Sequence, residues 1–398
     1  MPAKQLAVPR PMKVGILASH PIQYQAPLFR ELSRRCELNV FFGHKQTAQA
    51  QSAAGFGVDF EWDVDLLSGY AHTFLDNVAK RPDTSAFLGC DTPDIANIIN
   101  FGGFDAFLVT GWHLKAYWQA IRACQRFGVP VVVRGDSHLG TPRSWLKQMV
   151  KKLLYPWMIG QFDACLYVGQ RNRAYLEHYR ARSDRLFFAP HCVDTLAFSE
   201  AASAVNRSEV RAGWGLQPQD HAVLFAGKLL ARKRPDDLVH AAAQLVQQGK
   251  PVVLVWAGDG PERQSLQELG ALLHVPMVFL GFCNQSRLPA IYRAADVLAL
   301  PSEGSETWGL VVNEAMACGT PCVVSDASGC APDMVLCGVT GEVYAMGQVD
   351  ALASALSKAL MIERDTRQIA AHSARYSVAA TASGVLAALA TLQNNKRP

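Results

Sequence analysis

Two features are missing from this 398-residue sequence: an apolar run long enough to span a bilayer, and any CxxC pair. Because a spanning helix needs about 20 consecutive apolar residues, the first absence predicts a soluble, cytoplasmic protein. The second argues against zinc and redox motifs, so the ten scattered cysteines are expected to be buried, reduced thiols. A large charge excess is missing too, and the net charge of +4 gives no reason to expect a nucleic-acid partner.

The composition that is present is that of a globular protein with substantial cores. Hydrophobic residues make up 49% of the chain and charged residues 18%, and the length suits two domains of ordinary size. Apolar runs typical of buried strands alternate with segments of helical periodicity along most of the sequence. This alternation predicts an α/β fold with doubly wound parallel sheets.

One stretch near the end of the chain carries most of the chemical information. An apolar run, Ala295 to Leu300, predicts a strand, and a loop of small polar residues follows it. A helix is predicted from Gly309 or Leu310, ended by Gly319 with Pro321 just beyond it. A strand that leads into a helix N-terminus forms an anion site, because the first amides of a helix lack internal partners.

Two glutamates border this predicted anion site. Glu306 precedes the helix and Glu314 lies inside it. Carboxylates repel phosphate, so their natural partners are hydroxyl groups of the same ligand. The amides that would bind the phosphate belong to Trp308, Gly309, Leu310 and Val311. A ligand with phosphates between two sets of hydroxyls, a nucleoside diphosphate sugar, meets both demands.

The extended run S-E-x-x-G-L…N-E-A-M-A-C-G-T-P-C-V-V-S-D resembles the signature of the retaining glycosyltransferases of family 4. That resemblance implies the GT-B fold, in which two Rossmann-like doubly wound domains face each other across a cleft. It divides the chain into an acceptor-binding domain (1–195), a nucleotide-sugar-binding domain (196–375) and a C-terminal helix that packs back toward the first domain (376–398). It also implies a role in polysaccharide biosynthesis.

The second predicted domain opens with a strand that ends at Gly227 and a loop with four basic residues. In the family that this loop resembles, a basic residue after the glycine and a lysine five positions later neutralise the donor's diphosphate. Lys228 and Lys233 stand at those positions, although the first is more often arginine. The resemblance also places Phe282 where relatives hold the nucleobase.

The loop after the first predicted strand reads His-Pro-Ile-Gln-Tyr-Gln, where family members often carry glycines. It points into the ligand crevice if the sheet is doubly wound. His20, Gln23 and Gln25 are therefore candidates for binding the acceptor. The alternative interpretation is a turn started by Pro21 with incidental polar groups.

A family histidine that contacts the donor sugar follows the fourth strand of the first domain. The equivalent position falls near Thr110, and His113 comes a few residues later, so His113 is the candidate. A structural histidine is the alternative for His113, and also for His138. Asp63 and Asp65 form a D-x-D pair on a predicted strand from Phe60 to Asp65, and no metal site is assigned to them.

The segment Trp145 to Trp157 predicts a helix rich in basic and aromatic residues. Contact with anionic lipid headgroups is one interpretation, because basic amphipathic helices bind such surfaces. A surface helix that buries its apolar side in the protein core is the other.

These predictions describe a retaining glycosyltransferase of the hexosyltransferase type. The predicted catalytic residues are Glu306, Lys233, Lys228 and His113. The predicted donor is a UDP- or GDP-sugar, the acceptor a glycan, a lipid-linked or a small molecule, and neither cofactor nor metal is expected. A nucleotide-sugar epimerase or phosphorylase of the same architecture, and a non-catalytic nucleotide-sugar-binding protein, remain as alternatives.

Overall fold

The computed structural model describes residues 11–45 and 63–395 and contains two parallel β-sheets with helices on both faces. The first sheet has the order β3-β2-β1-β4-β5-β6-β7. Its strands are β1 (Lys13–Ala18), β2 (Glu37–Phe42), β3 (Ala71–Phe74), β4 (Ala106–Val109), β5 (Val131–Arg134), β6 (Ala164–Tyr167) and β7 (Leu186–Phe188). The accompanying helices are α1 (Ala26–Ser33), α2 (Ile95–Phe101), α3 (Lys115–Phe127), α4 (Trp145–Ile159) and α5 (Gln170–His178).

The second sheet has the order β10-β9-β8-β11-β12-β13. Its strands are β8 (His221–Ala226), β9 (Val252–Ala257), β10 (Met277–Gly281), β11 (Val297–Leu300), β12 (Cys322–Ser325) and β13 (Gly341–Tyr344). The remaining helices are α6 (Thr195–Ser203), α7 (Arg207–Gly213), α8 (Pro235–Gln247), α9 (Arg263–Leu272), α10 (Leu288–Ala294), α11 (Leu310–Ala317), α12 (Ala331–Met334), α13 (Val349–Met361), α14 (Thr366–Ala374) and α15 (Val378–Asn395). The predicted pair of doubly wound sheets is confirmed.

Each sheet reverses its strand order once, and this reversal positions the site. In the first sheet β1 lies between β2 and β4, and in the second β8 lies between β9 and β11. Loops that leave the carboxyl ends of the strands at such a point flank a crevice. The loops after β1 and β4, and those after β8 and β11, are therefore the ones placed to bind ligands.

The last helix, α15, packs against the first sheet. Val385 and Leu389 are buried in the same core as Leu166 of β6. The Thr381 hydroxyl donates to the Pro190 carbonyl at 2.8 Å. The chain therefore crosses from the second sheet back to the first.

All ten cysteines are free, and all except Cys283 and Cys337 are buried, as expected.

The strand predicted from Phe60 to Asp65 is wrong in its described part. Residues 63–65 form no strand, whereas Phe60 to Trp62 lie outside the described residues. The Asp65 carboxylate accepts hydrogen bonds from the amides of Leu67 and Ser68, at 2.9 and 3.1 Å, which fixes a turn. The Asp63 carboxylate accepts from Ser286 of the second domain. Neither aspartate is therefore placed by strand pairing.

Candidate active site

Helix α11 begins after residues 301–309, which follow β11 and are called here the donor loop. Gly309 has φ +106°, and a Cβ there would lie 2.6 Å from Leu300 Cδ2, so this turn requires glycine. Gly319, with φ +72°, follows the helix as predicted. The first amides of α11 lack partners within the helix and lie at its positive end. The predicted helix and its glycine stop are therefore confirmed, and anion binding at the start of α11 stays a prediction.

The structure brings Lys233 and Glu306 into direct contact. Lys233 Nζ lies 2.7 Å from Glu306 Oε2, and their side chains are only 13% and 17% exposed. The amide of Glu303 also donates to the Arg232 carbonyl at 3.1 Å, which joins the loop after β8 to the donor loop. Two predicted site residues thus meet, but as a mutual ion pair, whereas the sequence had assigned each of them to the donor.

Lys228 lies in the same loop, directly after Gly227 at the end of β8. Gly227 has φ +131°, and the Gly258 turn packs so closely on it that a Cβ on Gly258 would lie 1.9 Å from the Gly227 carbonyl oxygen. Burial lowers the pKa of Lys228, and the nearby Arg232 and Lys233 lower it further. An anion bound among these cations would relieve their mutual repulsion.

Glu314 occupies α11 beside the buried Tyr292. The Tyr292 hydroxyl donates to Glu314 Oε2 at 2.6 Å. Burial raises the pKa of Glu314 to about 7, and the hydrogen bond from Tyr292 opposes part of this rise. A carboxylate whose charge is penalised in this way gains from further hydrogen-bond donors, such as the hydroxyls of a ribose.

The other predicted donor residues differ in how far their side chains are buried. The Trp308 side chain is buried, and its indole donates to Asn313 Oδ1 at 2.8 Å, so only its backbone amide can contact a donor. Leu310 and Val311 open α11 and are half-buried. Phe282 follows β10 at the carboxyl edge of the sheet and is half-buried.

The three predicted acceptor residues lie in different surroundings. The Ser19 hydroxyl lies 3.0 Å from His20 Nδ1, and burial, with His44 nearby, lowers the pKa of His20 to about 4. Gln25 is buried at the start of α1. Gln23 instead lines a cavity of about 350 Å³ that also involves Asp194 and, from the second domain, Gln285, Ser286 and Pro289. His20 and Gln25 do not line this cavity, and acceptor binding by the three residues stays a prediction.

His113 is exposed and contacts the first domain. Its Nε2 lies 3.3 Å from the Thr84 carbonyl, and its ring packs edge-on against Tyr117. Thr110 is held by its hydroxyl, which lies 3.0 Å from the Tyr117 hydroxyl and donates to Leu17. Contact of His113 with the donor sugar stays a prediction.

Asp136 of the first domain has a side chain that reaches the donor loop. The Thr307 hydroxyl donates to Asp136 Oδ2 at 2.7 Å, and His191 Nε2 lies 3.5 Å from the same oxygen. Burial would raise the pKa of Asp136, but the hydrogen bonds from His191 and Thr307 hold it below its ordinary value. The buried His191 ring contacts the rings of Tyr24 and Trp308. A carboxylate supported by histidine thus faces the donor loop.

Sequence reasoning assigned no role to Asp136 or His191. Asp136 follows β5 and His191 follows β7, at the edge of the sheet that faces the cleft. The available signal was this shared edge, since polar residues after parallel strands converge there.

The loop after β5 (residues 135–144, the β5 loop) also packs on the donor loop through backbone. A Cβ on Gly304 would lie 2.4 Å from the Gly140 carbonyl oxygen. Arg171 of α5 donates to the Ala327 carbonyl at 3.1 Å.

Among residues 11–45 and 63–395, no group of three or more His, Cys, Asp or Glu could hold a metal ion. Within the same ranges no helix is long and apolar enough to cross a membrane.

Two kinds of sequence comparison relate this chain to known glycosyltransferases. Residues 206–376 match the family described as glycosyl transferases group 1. The D-inositol 3-phosphate glycosyltransferase of Nocardia farcinica is 34% identical over 232 residues, which cover 55% of this chain and 50% of that protein. The GDP-mannose-dependent alpha-(1-6)-phosphatidylinositol monomannoside mannosyltransferase of Mycolicibacterium smegmatis is 34% identical over 219 residues, covering 52% and 55%. The chain thus spans about half the length of the curated relatives it matches.

Solved structures agree in fold across nearly the whole chain. Anabaena HepE in complex with UDP has a TM-score of 0.70 at 18% identity, covering 96% of this chain and 100% of that chain. Sucrose-phosphate synthase from Thermosynechococcus elongatus has a TM-score of 0.69 at 18% identity, covering 97% and 100%. At these identities the likeness concerns the fold alone. The chain therefore has the GT-B fold, and its residues 206–376 match the glycosyl transferases group 1 family.

Proposed function

We propose that the chain transfers a sugar from a nucleoside diphosphate sugar to an acceptor hydroxyl, with retention of the anomeric configuration. The observation that carries this proposal is the convergence of Lys228, Lys233 and the N-terminus of α11 where the second sheet reverses its strand order. Cations and helix amides suit a diphosphate. Glu306 and Glu314 suit the hydroxyls on either side of it.

The bond that breaks joins the anomeric carbon to the diphosphate, and its electron pair leaves with the diphosphate. Lys228, Lys233 and the α11 amides stabilise the charge that develops there, which is the main electrostatic task of the transition state. When the diphosphate binds Lys233, the ion pair with Glu306 is exchanged for a pair with phosphate. Glu306 then accepts hydrogen bonds from the transferred sugar, and Glu314 accepts them from the ribose.

Retention follows from the direction of attack. The acceptor oxygen bonds to the anomeric carbon on the face that the diphosphate leaves, and its proton passes to a departing phosphate oxygen. This route requires no protein base on the opposite face. It also requires no divalent ion, because the two lysines and the helix N-terminus offset the charge of the leaving group.

The donor is proposed to be a UDP- or GDP-sugar. The name of the Mycolicibacterium relative includes GDP-mannose, and the HepE structure contains UDP. Thermal unfolding should be followed with both nucleoside diphosphates and their sugars, since a ligand that binds the folded state raises its midpoint. We expect selective stabilisation by one nucleotide, most of it lost in Lys233→Ala and kept in the exposed control Lys147→Ala.

An unchanged shift in Lys233→Ala would contradict the assignment of the donor site. Incubation of the donor without acceptor separates the related activities. An epimerase would release an isomeric nucleotide sugar, and a phosphorylase would consume inorganic phosphate. A transferase should leave the donor largely intact until an acceptor is added.

The acceptor is proposed to be a glycan, a lipid-linked or a small molecule, reached at a membrane surface through α4. Seven large apolar side chains of this helix are exposed, and these define the exposed face of α4: Trp145, Leu146, Met149, Val150, Leu153, Leu154 and Trp157. Lys147 and Lys152 accompany them, and no acidic residue occurs between Asp136 and Asp163. This exposure argues against a helix that buries its apolar side in the core. An apolar face with only positive charges suits anionic lipid.

Flotation with phosphatidylglycerol and phosphatidylcholine vesicles tests this contact. We expect the protein to float with the anionic vesicles and less so at high salt. The double variant Trp145→Ser/Leu153→Ser should remain at the bottom, while Phe101→Ser, a control at another exposed helix residue, should float normally. Equal flotation of both variants would contradict membrane contact through α4.

A further inference from the structure

A cavity of about 450 Å³ opens between the β5 loop and helices α4 and α5. The basic side chains that line it are those of His138, Arg143, Lys151, Lys152 and His178. None of the described residues around this cavity is acidic. A concave site lined by cations without counter-charge favours an anionic ligand.

Lys151 shows most clearly that counter-charge is missing. Its side chain is only 8% exposed, and its ammonium donates to the Tyr175 hydroxyl at 3.0 Å. The ring centroids of Tyr155, Tyr175 and Tyr179 lie 4.4, 5.1 and 5.9 Å from Lys151 Nζ. Burial lowers the pKa of Lys151 to about 8, and Arg143 adds to this effect. Among the described residues, the neighbours of this ammonium are thus three tyrosines and the cation Arg143. A bound anion would compensate the charges of both Lys151 and Arg143.

The cavity shares a wall with the candidate active site. His138 lines the cavity and belongs to the same loop as Asp136, which accepts the hydrogen bond from Thr307 of the donor loop. Gly140 of this loop packs directly on Gly304 of the donor loop. Only the β5 loop therefore separates a ligand anchored in the cavity from the proposed position of the transferred sugar.

The mouth of the cavity is apolar on one side. Leu139 and Met149 line it and are 50% and 51% exposed. Met149 belongs to the exposed face of α4, so the cavity opens beside the surface that we assign to the membrane. This arrangement accommodates an anionic group inside and an apolar chain outside.

We propose that this cavity binds a phosphate group of the acceptor, which makes the acceptor a phosphorylated molecule, either soluble or a lipid with a phosphate headgroup. The inference rests on the proposed glycosyl transfer and adds the class of acceptor to it. Arg143 and Lys152 form the accessible part of the site, because both are exposed at its mouth, while Lys151 supplies charge at its base.

Calorimetric titration with two probes tests the site: sn-glycerol 3-phosphate, and dihexanoyl phosphatidylglycerol below its micellar concentration. We expect saturable binding of at least one probe by the full chain. Arg143→Gln/Lys152→Gln should weaken it by roughly tenfold for each charge removed, the usual effect of losing a charged hydrogen bond. Both side chains are exposed, so the double variant should fold normally.

Two control variants locate the bound phosphate. Lys147→Gln removes a charge from the same helix outside the cavity, and Lys233→Ala removes a charge from the donor site; both should bind the probes as the parent does. Absence of saturable binding to either probe would overturn the proposal. So would loss of binding in Lys233→Ala with retention in Arg143→Gln/Lys152→Gln, because the phosphate would then occupy the donor site.

The two probes also separate the sources of the phosphate. Tighter binding of the lipid assigns the cavity to a headgroup, and tighter binding of glycerol 3-phosphate assigns it to a soluble acceptor. Failure of the proposed function would give a different result. The chain would then bind a probe in this cavity but bind no nucleotide. The phosphate site would stand, and the proposed sugar transfer would be wrong.

Discussion

The charge of Lys233 serves both the folded protein and the proposed reaction. From sequence alone this lysine is a loop residue whose loss would hardly disturb folding. Its 2.7 Å contact with Glu306 and its low exposure change that expectation, because each side chain is partly removed from water. Without Lys233, the Glu306 carboxylate would stay partly removed from water, and no ion pair would offset the free-energy cost of that desolvation.

Lys233→Ala should therefore lower both turnover and stability, by different amounts. We expect the activation barrier to rise by about 2–4 kcal/mol, because one charge is removed from the departing diphosphate. The free energy of unfolding should fall by about 1 kcal/mol, because Glu306 is left without its partner. Steady-state kinetics and urea unfolding measure the two effects, with Lys147→Ala as control. Near-normal turnover would show that the lysine has no part in catalysis.

Glu314→Gln should reveal the raised pKa of this carboxyl group through stability. Between its ordinary pKa and about 7, the folded protein keeps a proton that the unfolded chain has lost, so this group's contribution to stability falls as pH rises. Glutamine has no such penalty and still accepts a hydrogen bond from Tyr292. The unfolding midpoint of the variant, relative to the parent, should therefore be higher at pH 8 than at pH 5. A difference that does not change with pH would contradict the assignment.

At the scale of elements, the second domain was largely predictable and part of the first was not. The apolar runs Val252–Ala257 and Met277–Gly281 end in glycine turns and predict two strands, and β9 and β10 have these bounds. Ala71–Phe74 and Ile95–Phe101 were missed; the first is a short edge strand, mostly exposed, and such strands lack a clear pattern of burial. Local sequence carries little signal for them.

The same contrast applies to the site. Lys233 and Glu306 could both be assigned to the site from the sequence, because each residue stands at a fixed place in its own motif. The contact of Asp136 with Thr307 depends on how two domains face each other, which no local pattern encodes. The resemblance drew attention to His113, whose observed contacts lie within the first domain.

Gly309→Ala tests whether the start of α11 depends on its backbone geometry. A φ of +106° disfavours any side chain, and the added Cβ would meet Leu300 at 2.6 Å. We expect a loss of about 1–3 kcal/mol in the free energy of unfolding, together with weaker nucleotide binding. Gly213→Ala is the matched control, because its Cβ would meet nothing within 4 Å and the unfolding free energy should change by less than about 0.5 kcal/mol. Equal effects of both changes would contradict the account.

At the scale of the whole molecule, the two domains hold complementary parts of one proposed reaction. The second is proposed to supply Lys228, Lys233 and the start of α11 for the donor, and the first to supply the cavity for the acceptor's phosphate. Asp136 of the first domain contacts the donor loop. Contacts across the cleft join them, including the Gln170 amide, which donates to the Asp333 carboxylate at 3.0 and 3.2 Å. The proposed transfer therefore uses groups from both domains.

The most direct test of the central claim is the stereochemistry of transfer in excess chelator. The donor selected by thermal stabilisation should be incubated with a phosphorylated acceptor, and the new linkage assigned from its anomeric coupling constants. We predict full activity without divalent ions and a product with the anomeric configuration of the donor, because fixed cations offset the leaving diphosphate and attack occurs on its own face. Activity that returns only with magnesium or manganese, or an inverted linkage, would contradict this account.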